Sequence, residues 1–367
     1  MSKSRYARFS RPLTAFVPSL IARDYARPKL SRKEGEKAAG AQRAGVYAQG
    51  RLSRRRLCGR SGAMPLHIAT PLLESRSLSQ RTGREIWLKM DALQPSGSFK
   101  IRGVGLVCER HAARGAKRFV ASSGGNAGVA VAYAGRRLGL PVLVVVPESA
   151  SEAAKAALAR EEAQVIVHGA SWSEANALAL SHVTPDDAFV HPFDDPGLWE
   201  GHATLVDEVV AAGLRPDAVV LSVGGGGLMC GVLEGLHRHG LNDVPVLACE
   251  TRGADSFSQS VAQGRRVELA AITSIAATLG ARQVAAKAFE WSRSHPIQAH
   301  VVTDGEAARA CLAFLDDHRV MTEPACGAAL ALVYDAPHRL AAFSRVLVVV
   351  CGGVAADVAQ LQEWAKL

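Results

Sequence analysis

Residues 117–146, KRFVASSGGNAGVAVAYAGRRLGLPVLVVV, decide how the chain is read. A short apolar run, KRFVA at 117–121, enters the small-residue turn Ser122-Ser-Gly-Gly-Asn-Ala-Gly128. An Ala-rich stretch long enough for a helix follows at 126–138, and VLVVV at 142–146 resumes the strand pattern. A strand, a turn, a helix and a second strand with no polar face form the unit of a parallel sheet covered on both sides. The alternation continues outward. Further strands are predicted at 164–167, 188–191, 218–223, 246–249 and 346–350. Helices are predicted at 151–161, 173–183, 198–213, 226–239, 281–292, 305–319 and 325–336. The expected class is α/β with parallel sheet buried on both faces. In such sheets ligands gather beyond the carboxyl ends of the strands. Two more small-residue turns stand there: Gly224-Gly-Gly-Gly227 after 218–223, and Cys351-Gly-Gly353 after 346–350.

The bulk numbers remove several classes of function. At 367 residues the chain can bury a sizeable core, and 48% apolar with 21% charged residues is an ordinary globular balance. No run of 18 apolar residues occurs, so no membrane span is expected. The net charge of +9 is unevenly placed: residues 1–63 hold 16 Lys+Arg and 3 Asp+Glu, whereas the other 304 residues hold 27 and 31. The body is mildly acidic, so a nucleic-acid-binding reading of it has no electrostatic basis. For the basic head, with RLSRRRLCGR at 51–60, three readings stand. They are an arm that touches phosphates, an Arg- and Ser-rich transit peptide, and upstream sequence ahead of a functional chain starting at Met64. The third is preferred, for a reason given below. The seven cysteines, Cys58, Cys108, Cys230, Cys249, Cys311, Cys326 and Cys351, form no CxxC pair and several sit in apolar runs. That is the reduced, buried thiol usage of a cytoplasmic protein. His237 and His239 are two apart on a predicted helix, so they share no face and are not a ligand pair.

Four consecutive glycines between a buried strand and a helix allow backbone amides to close on an anion at a positive helix end. The spacing after Gly224 is not that of a dinucleotide fingerprint, and no Gly-Lys-Ser/Thr follows a glycine-rich loop as a nucleotide P-loop requires. In QPSGSFKIRG, residues 94–103, Lys100 lies between Phe99 and Ile101 among small residues. A phosphate cradle without a nucleotide motif, together with a lysine in apolar company, points to a small phosphorylated aldehyde cofactor such as pyridoxal phosphate.

Asp91-x4-Ser96-Gly-Ser-Phe-Lys-Ile-Arg-Gly103 resembles the cofactor-attachment pattern of the serine/threonine dehydratase group, within the fold that also contains tryptophan synthase β chains. SSGGNAG (122–128), HPFDDPGLWEGH (191–202), LSVGGGGLMCGV (221–232), EPACGAAL (323–330) and VVVCGG (348–353) resemble the short catabolic L-serine dehydratases. Met64-Pro-Leu-His also resembles that family's usual start, hence the preference for a fold beginning there. The resemblance covers about residues 64–367.

It implies a fold type II pyridoxal-phosphate enzyme of two three-layer, parallel-type sheet domains: a large domain of 64–93 and 196–367, and a small one of 94–195. Lys100 would be the Schiff-base lysine. Phe99 would lie against the cofactor ring, Asn126 would bond its O3′, Gly224, Gly225, Gly226 and Gly227 would bind the phosphate, and Cys351 would face the ring nitrogen. Ser123, Gly124, Gly125, Asn126 and Ala127 would take the substrate carboxylate. Gly124 stands where some family members carry alanine, which leaves the serine/threonine preference open. Glu250, near Ser256, resembles a monovalent-cation (K+) ligand. The implied activity is β-elimination of L-serine, and of L-threonine, by a cytoplasmic homodimer with an amino-acid substrate, no membrane and no nucleic-acid partner. A β-replacement enzyme or a serine racemase uses the same lysine and glycine loop. A cofactor-binding or nucleic-acid-associating protein acting through the basic head is the alternative from another class.

Overall fold

The computed structural model describes residues 64–367. The readings of the basic head 1–63, and Cys58 within it, lie outside the described residues. Strands are numbered in chain order: β1 (Leu72–Glu74), β2 (Glu85–Lys89), β3 (Arg118–Ala121), β4 (Val142–Val146), β5 (Gln164–Val167), β6 (Asp187–Phe189), β7 (Ala218–Ser222), β8 (Val246–Thr251), β9 (Ile297–Val302) and β10 (Arg345–Val349). They form two sheets, β1-β2-β10-β7-β8-β9 and β5-β4-β3-β6. All pairs are parallel except β1 with β2, so the short edge strand β1 departs from the all-parallel expectation.

The small sheet shows why continuous apolar runs become central parallel strands. Phe119 and Ala121 of β3, with Val142, Val144 and Val146 of β4, enter the main core on one face. Val120, Leu143 and Val145 meet Ala175 and Ala179 of the helix Trp172–Ser181 on the other. Both faces exclude water, so neither strand needs a polar side. In the large sheet β7 and β8 are buried throughout, whereas the edge strand β9 alternates with half-exposed positions.

The helix Lys100–Ala113 crosses the helix Pro196–Ala211 with their backbones in contact. A methyl on Gly103 would come within 2.8 Å of Leu198 Cα, and one on Gly201 within 2.6 Å of Gly103 Cα. Only glycine permits that approach. The segment leading to Lys100 is tied to the end of β10 by a bridge between Ser98 and Gly352, by Phe99 N–H donating to Cys351 O (3.0 Å), and by Gly353 N–H donating to Gly97 O (2.8 Å). The three small-residue turns of the sequence thus follow β3, β7 and β10 at their carboxyl ends.

His237 and His239 diverge as the helical spacing demands. His237 Nε2 meets His295 Nδ1 at 3.1 Å, and His239 Nε2 meets Asp207 Oδ1 at 2.7 Å. Cys108, Cys230, Cys249, Cys311, Cys326 and Cys351 are free and buried. No helix among the described residues is long and apolar enough to cross a membrane.

Candidate active site

A cleft containing about 480 Å3 of space, partly open to solvent, lies at these carboxyl ends. Phe99, Lys100, Asn126, Gly224 to Gly227 and Cys351 all line it. Lys100 is the first residue of its helix, and its Nζ donates to the Pro192 carbonyl at 2.7 Å, 5.1 Å from the centre of the Phe99 ring. Burial pushes its ammonium down to about 8 against the opposing pull of the Glu323 carboxylate. A substantial fraction of the amine is therefore neutral near physiological pH.

The tetraglycine turn in the same cleft is closely walled by its neighbours. A methyl on Gly224 would fall 2.9 Å from Leu279 Cα, one on Gly225 would press into the Phe193 ring, and one on Gly227 would fall 2.7 Å from the Phe193 carbonyl oxygen. Gly226 has φ +89°, a left-handed conformation that disfavours any other residue. It caps the helix Gly227–Arg238 with no side-chain acceptor for the first N–H groups. Those donors and the positive end of the helix suit a phosphate. The residues therefore fit pyridoxal phosphate at both ends, an amine for the aldehyde and an amide cup for the phosphate.

The cleft is also lined by a carboxylate that no sequence motif assigns a role. Glu323 is 1% exposed and accepts from Asn126 Nδ2 (2.7 Å), Thr278 Oγ1 (2.5 Å) and Ala355 N–H (2.8 Å). Burial raises its proton affinity and these donors lower it. Asn126 Oδ1 in turn accepts from Val354 N–H at 3.1 Å, which fixes the orientation of the amide. Phe193, Ser222 and Thr278 also line the cleft. Glu323 and Phe193 stand inside motifs quoted above, EPACGAAL and HPFDDPGLWEGH, whereas no pattern marks Thr278.

Ser123, Gly124, Gly125 and Ala127 lie in the turn around Asn126 and are not among the residues lining the cleft. Gly125 N–H reaches Ser123 Oγ at 3.4 Å. A methyl on Gly124 would stand 3.1 Å from Val146 Cγ1, so alanine there requires Val146 to shift by a few tenths of an ångström. Cys351 is buried, and its thiol is held well above its ordinary range by a hydrogen bond with Cys326 and by burial, so it stays neutral.

Glu250 and Ser256 sit apart from the cleft lining. Glu250 is fully buried within β8. It accepts from Phe257 N–H (2.9 Å), Ser258 N–H (2.7 Å) and Ser258 Oγ (2.5 Å) at the start of the helix Ser256–Gln263. Burial raises its carboxyl to about 7. Ser256 Oγ is buried without a partner.

Residues 63–352 match the family described as pyridoxal-phosphate dependent enzyme. The chain belongs to that family. Among curated relatives it is 48% identical over 317 residues to a mouse protein named serine dehydratase-like, covering 84% of this chain and 96% of that one. It is 45% identical over 309 residues to human L-serine dehydratase/L-threonine deaminase, covering 81% and 94%. Among solved structures, a fungal L-serine ammonia-lyase from Rhizomucor miehei superposes with a TM-score of 0.78 at 35% identity, covering 83% of this chain and 99% of that one. The fold class and the cofactor expected from the sequence are those of the family, and the chain is an α/β enzyme that uses pyridoxal phosphate.

Proposed function

We propose that the protein is an L-serine ammonia-lyase that converts L-serine to pyruvate and ammonia, and L-threonine to 2-oxobutyrate and ammonia. One observation carries the reading: a lysine amine of lowered proton affinity shares a cleft with an uncapped tetraglycine helix start and the Asn126–Glu323 pair. The names of the relatives support it. Lys100 and the amides of Gly224 to Gly227 would hold the cofactor, with Phe99 and Asn126 along its ring and Cys351 at the ring nitrogen. When bound, pyridoxal phosphate supplies an electron sink for the pair released at the amino acid's α-carbon.

The chain's own residues then divide the work. The turn Ser123–Ala127, at the start of the helix Asn126–Leu138, receives the substrate carboxylate on backbone N–H groups. Lys100 Nζ, neutral in roughly one molecule in ten at pH 7, takes the α-proton as general base and holds it beside the substrate as an ammonium. The Phe193 ring and the backbone of Leu279 wall the glycine turn. Cys351, a neutral thiol, supports positive charge at the ring nitrogen less than a carboxylate would, which favours expulsion of the β-hydroxyl over prolonged charge storage. Racemisation needs a second acid or base facing Lys100. Among the residues lining the cleft the carboxylate is Glu323, and both its oxygens are engaged by donors.

The reading includes a small domain of 94–195 inserted in a large one, which the placement of β3 to β6 supports. It also includes a homodimeric state and a K+ ion near Glu250 and Ser256, where the partnerless Ser256 Oγ supports an oxygen-ligated cation. The deciding experiment is product analysis with the cofactor-loaded protein and L-serine. Pyruvate and ammonia in equal amounts are expected. D-serine as the main product, or a β-replacement product when a thiol is added, would refute the reading.

A further inference from the structure

Arg102, two residues beyond Lys100 in QPSGSFKIRG, has no part in the chemistry above, yet its side chain is fully buried. Residues two apart on a helix point to different sides, so Arg102 runs into the protein while Lys100 reaches the cleft. Its guanidinium donates to Asp91 through Nε (2.7 Å) and Nη2 (2.8 Å), and to Glu208 through Nη1 (2.6 Å) and Nη2 (2.9 Å). Nη1 also reaches Thr204 Oγ1 at 3.0 Å, and Nη2 reaches Thr70 Oγ1 at 3.2 Å. Two carboxylates, each held bidentately, use the planar fork in a way no other cation can copy. Lys89 Nζ, 1% exposed, completes the group by donating to Glu208 Oε2 (2.5 Å) and to the Thr70 carbonyl (2.6 Å). Two buried cations and two carboxylates leave no net charge.

The helix start that bears Lys100 needs such a fastening. Its N-cap is Phe99, with no side-chain cap bond and no acidic residue in the first turn. Asp, Asn, Ser or Thr would ordinarily secure that end. Arg102 instead ties the first turn to the segment after β2 through Asp91 and to the helix Pro196–Ala211 through Thr204 and Glu208. These contacts close where Gly103 and Gly201 already bring the two helix backbones together.

We propose that Arg102 is a positioning residue for Lys100. Its doubly bidentate clamp on Asp91 and Glu208 fixes the first helical turn so that the Lys100 amine is delivered at reacting distance. The proposal rests on the reading of Lys100 as the cofactor-linked base, which product analysis tests separately. Misplacing a reacting group by about 1 Å can cost on the order of 100-fold in rate, and the loss should fall on turnover, because the turn Ser123–Ala127 that takes the substrate is untouched.

The test compares wild-type holoenzyme with Arg102→Lys and Glu208→Gln, following the visible absorbance of lysine-bound cofactor, kcat and KM for L-serine, and thermal unfolding. Arg102→Lys keeps the charge but not the fork. It is expected to retain the cofactor absorbance and a KM within about threefold, with kcat lower by roughly 10- to 100-fold. Glu208→Gln, at a position 20% exposed, leaves the pair with Asp91 intact and decides the matter should Arg102→Lys not fold. Its kcat is expected to fall several-fold with KM unchanged. A lowered unfolding temperature with kcat and KM both at wild-type values would show a merely structural clamp and overturn the proposal. So would a rise in KM with kcat preserved.

Discussion

Capture of pyridoxal phosphate by the cofactor-free protein is expected to follow the titration of Lys100. An ammonium cannot attack an aldehyde, so the rate tracks the neutral fraction of the amine. With its proton affinity at about 8, roughly one molecule in ten carries the neutral amine at pH 7, against about one in 3,000 for an ordinary lysine. The advantage is about 300-fold, and its source is burial in the cleft. Rapid mixing of cofactor-free protein with pyridoxal phosphate, followed by absorbance between pH 6 and 9.5 at constant ionic strength, reads it directly. The rate should climb about tenfold per pH unit to about pH 8 and then level. Glu323→Gln removes a negative charge that favours the ammonium, so its midpoint should lie lower still. A rate still climbing tenfold per unit at pH 9.5 in the wild-type protein would refute the burial argument.

Three further outcomes follow from the site. Gly225→Ala forces a methyl into the Phe193 ring; an overpacking cost of about 1–3 kcal/mol corresponds to a loss of cofactor affinity of at least fivefold, measurable by equilibrium dialysis. Glu323→Gln puts an NH2 group where donors already converge, so urea unfolding should show a loss of about 1–3 kcal/mol together with reduced turnover. Glu250 has a carboxyl raised to about 7 from an ordinary 4.5, so the folded protein binds its proton more tightly than the unfolded chain does. Its contribution is fully present below about pH 4.5 and is lost as pH rises to about 7, by at most about 3 kcal/mol. Urea unfolding at several pH values should show that decline, and Glu250→Gln should flatten it.

The elements legible in the sequence are those whose burial is uniform. VLVVV at 142–146 and VLVVV at 346–350 form β4 and the core of β10 because water reaches neither face. β9, IQAHVV, carries no clear strand pattern because an edge strand mixes Gln and His with half-exposed apolar residues. The helix Lys100–Ala113 is illegible for a different reason. Gly103 and Gly105 weaken its intrinsic helix signal, and Gly103 is there to satisfy a contact with Leu198, 95 residues away. The site divides in the same way. Lys100 and Gly224 to Gly227 are marked by their immediate neighbours. Glu323 joins Asn126, Thr278 and Ala355 across separations of 197, 45 and 32 residues, and no local spacing can announce such a meeting.

The tetraglycine turn reads as the most pliable stretch of the sequence, yet Leu279, Phe193 and Ala288 pack so close that none of its glycines has space for a side chain. The freedom of these residues is used once, when the chain folds. A cup already shaped before its occupant arrives incurs little ordering entropy on association. Cofactor exchange should then proceed without local refolding, and protein stripped of pyridoxal phosphate should regain it at a rate set by Lys100 chemistry. The heat-capacity change on rebinding should be correspondingly small, the mark of a docking event with little accompanying burial.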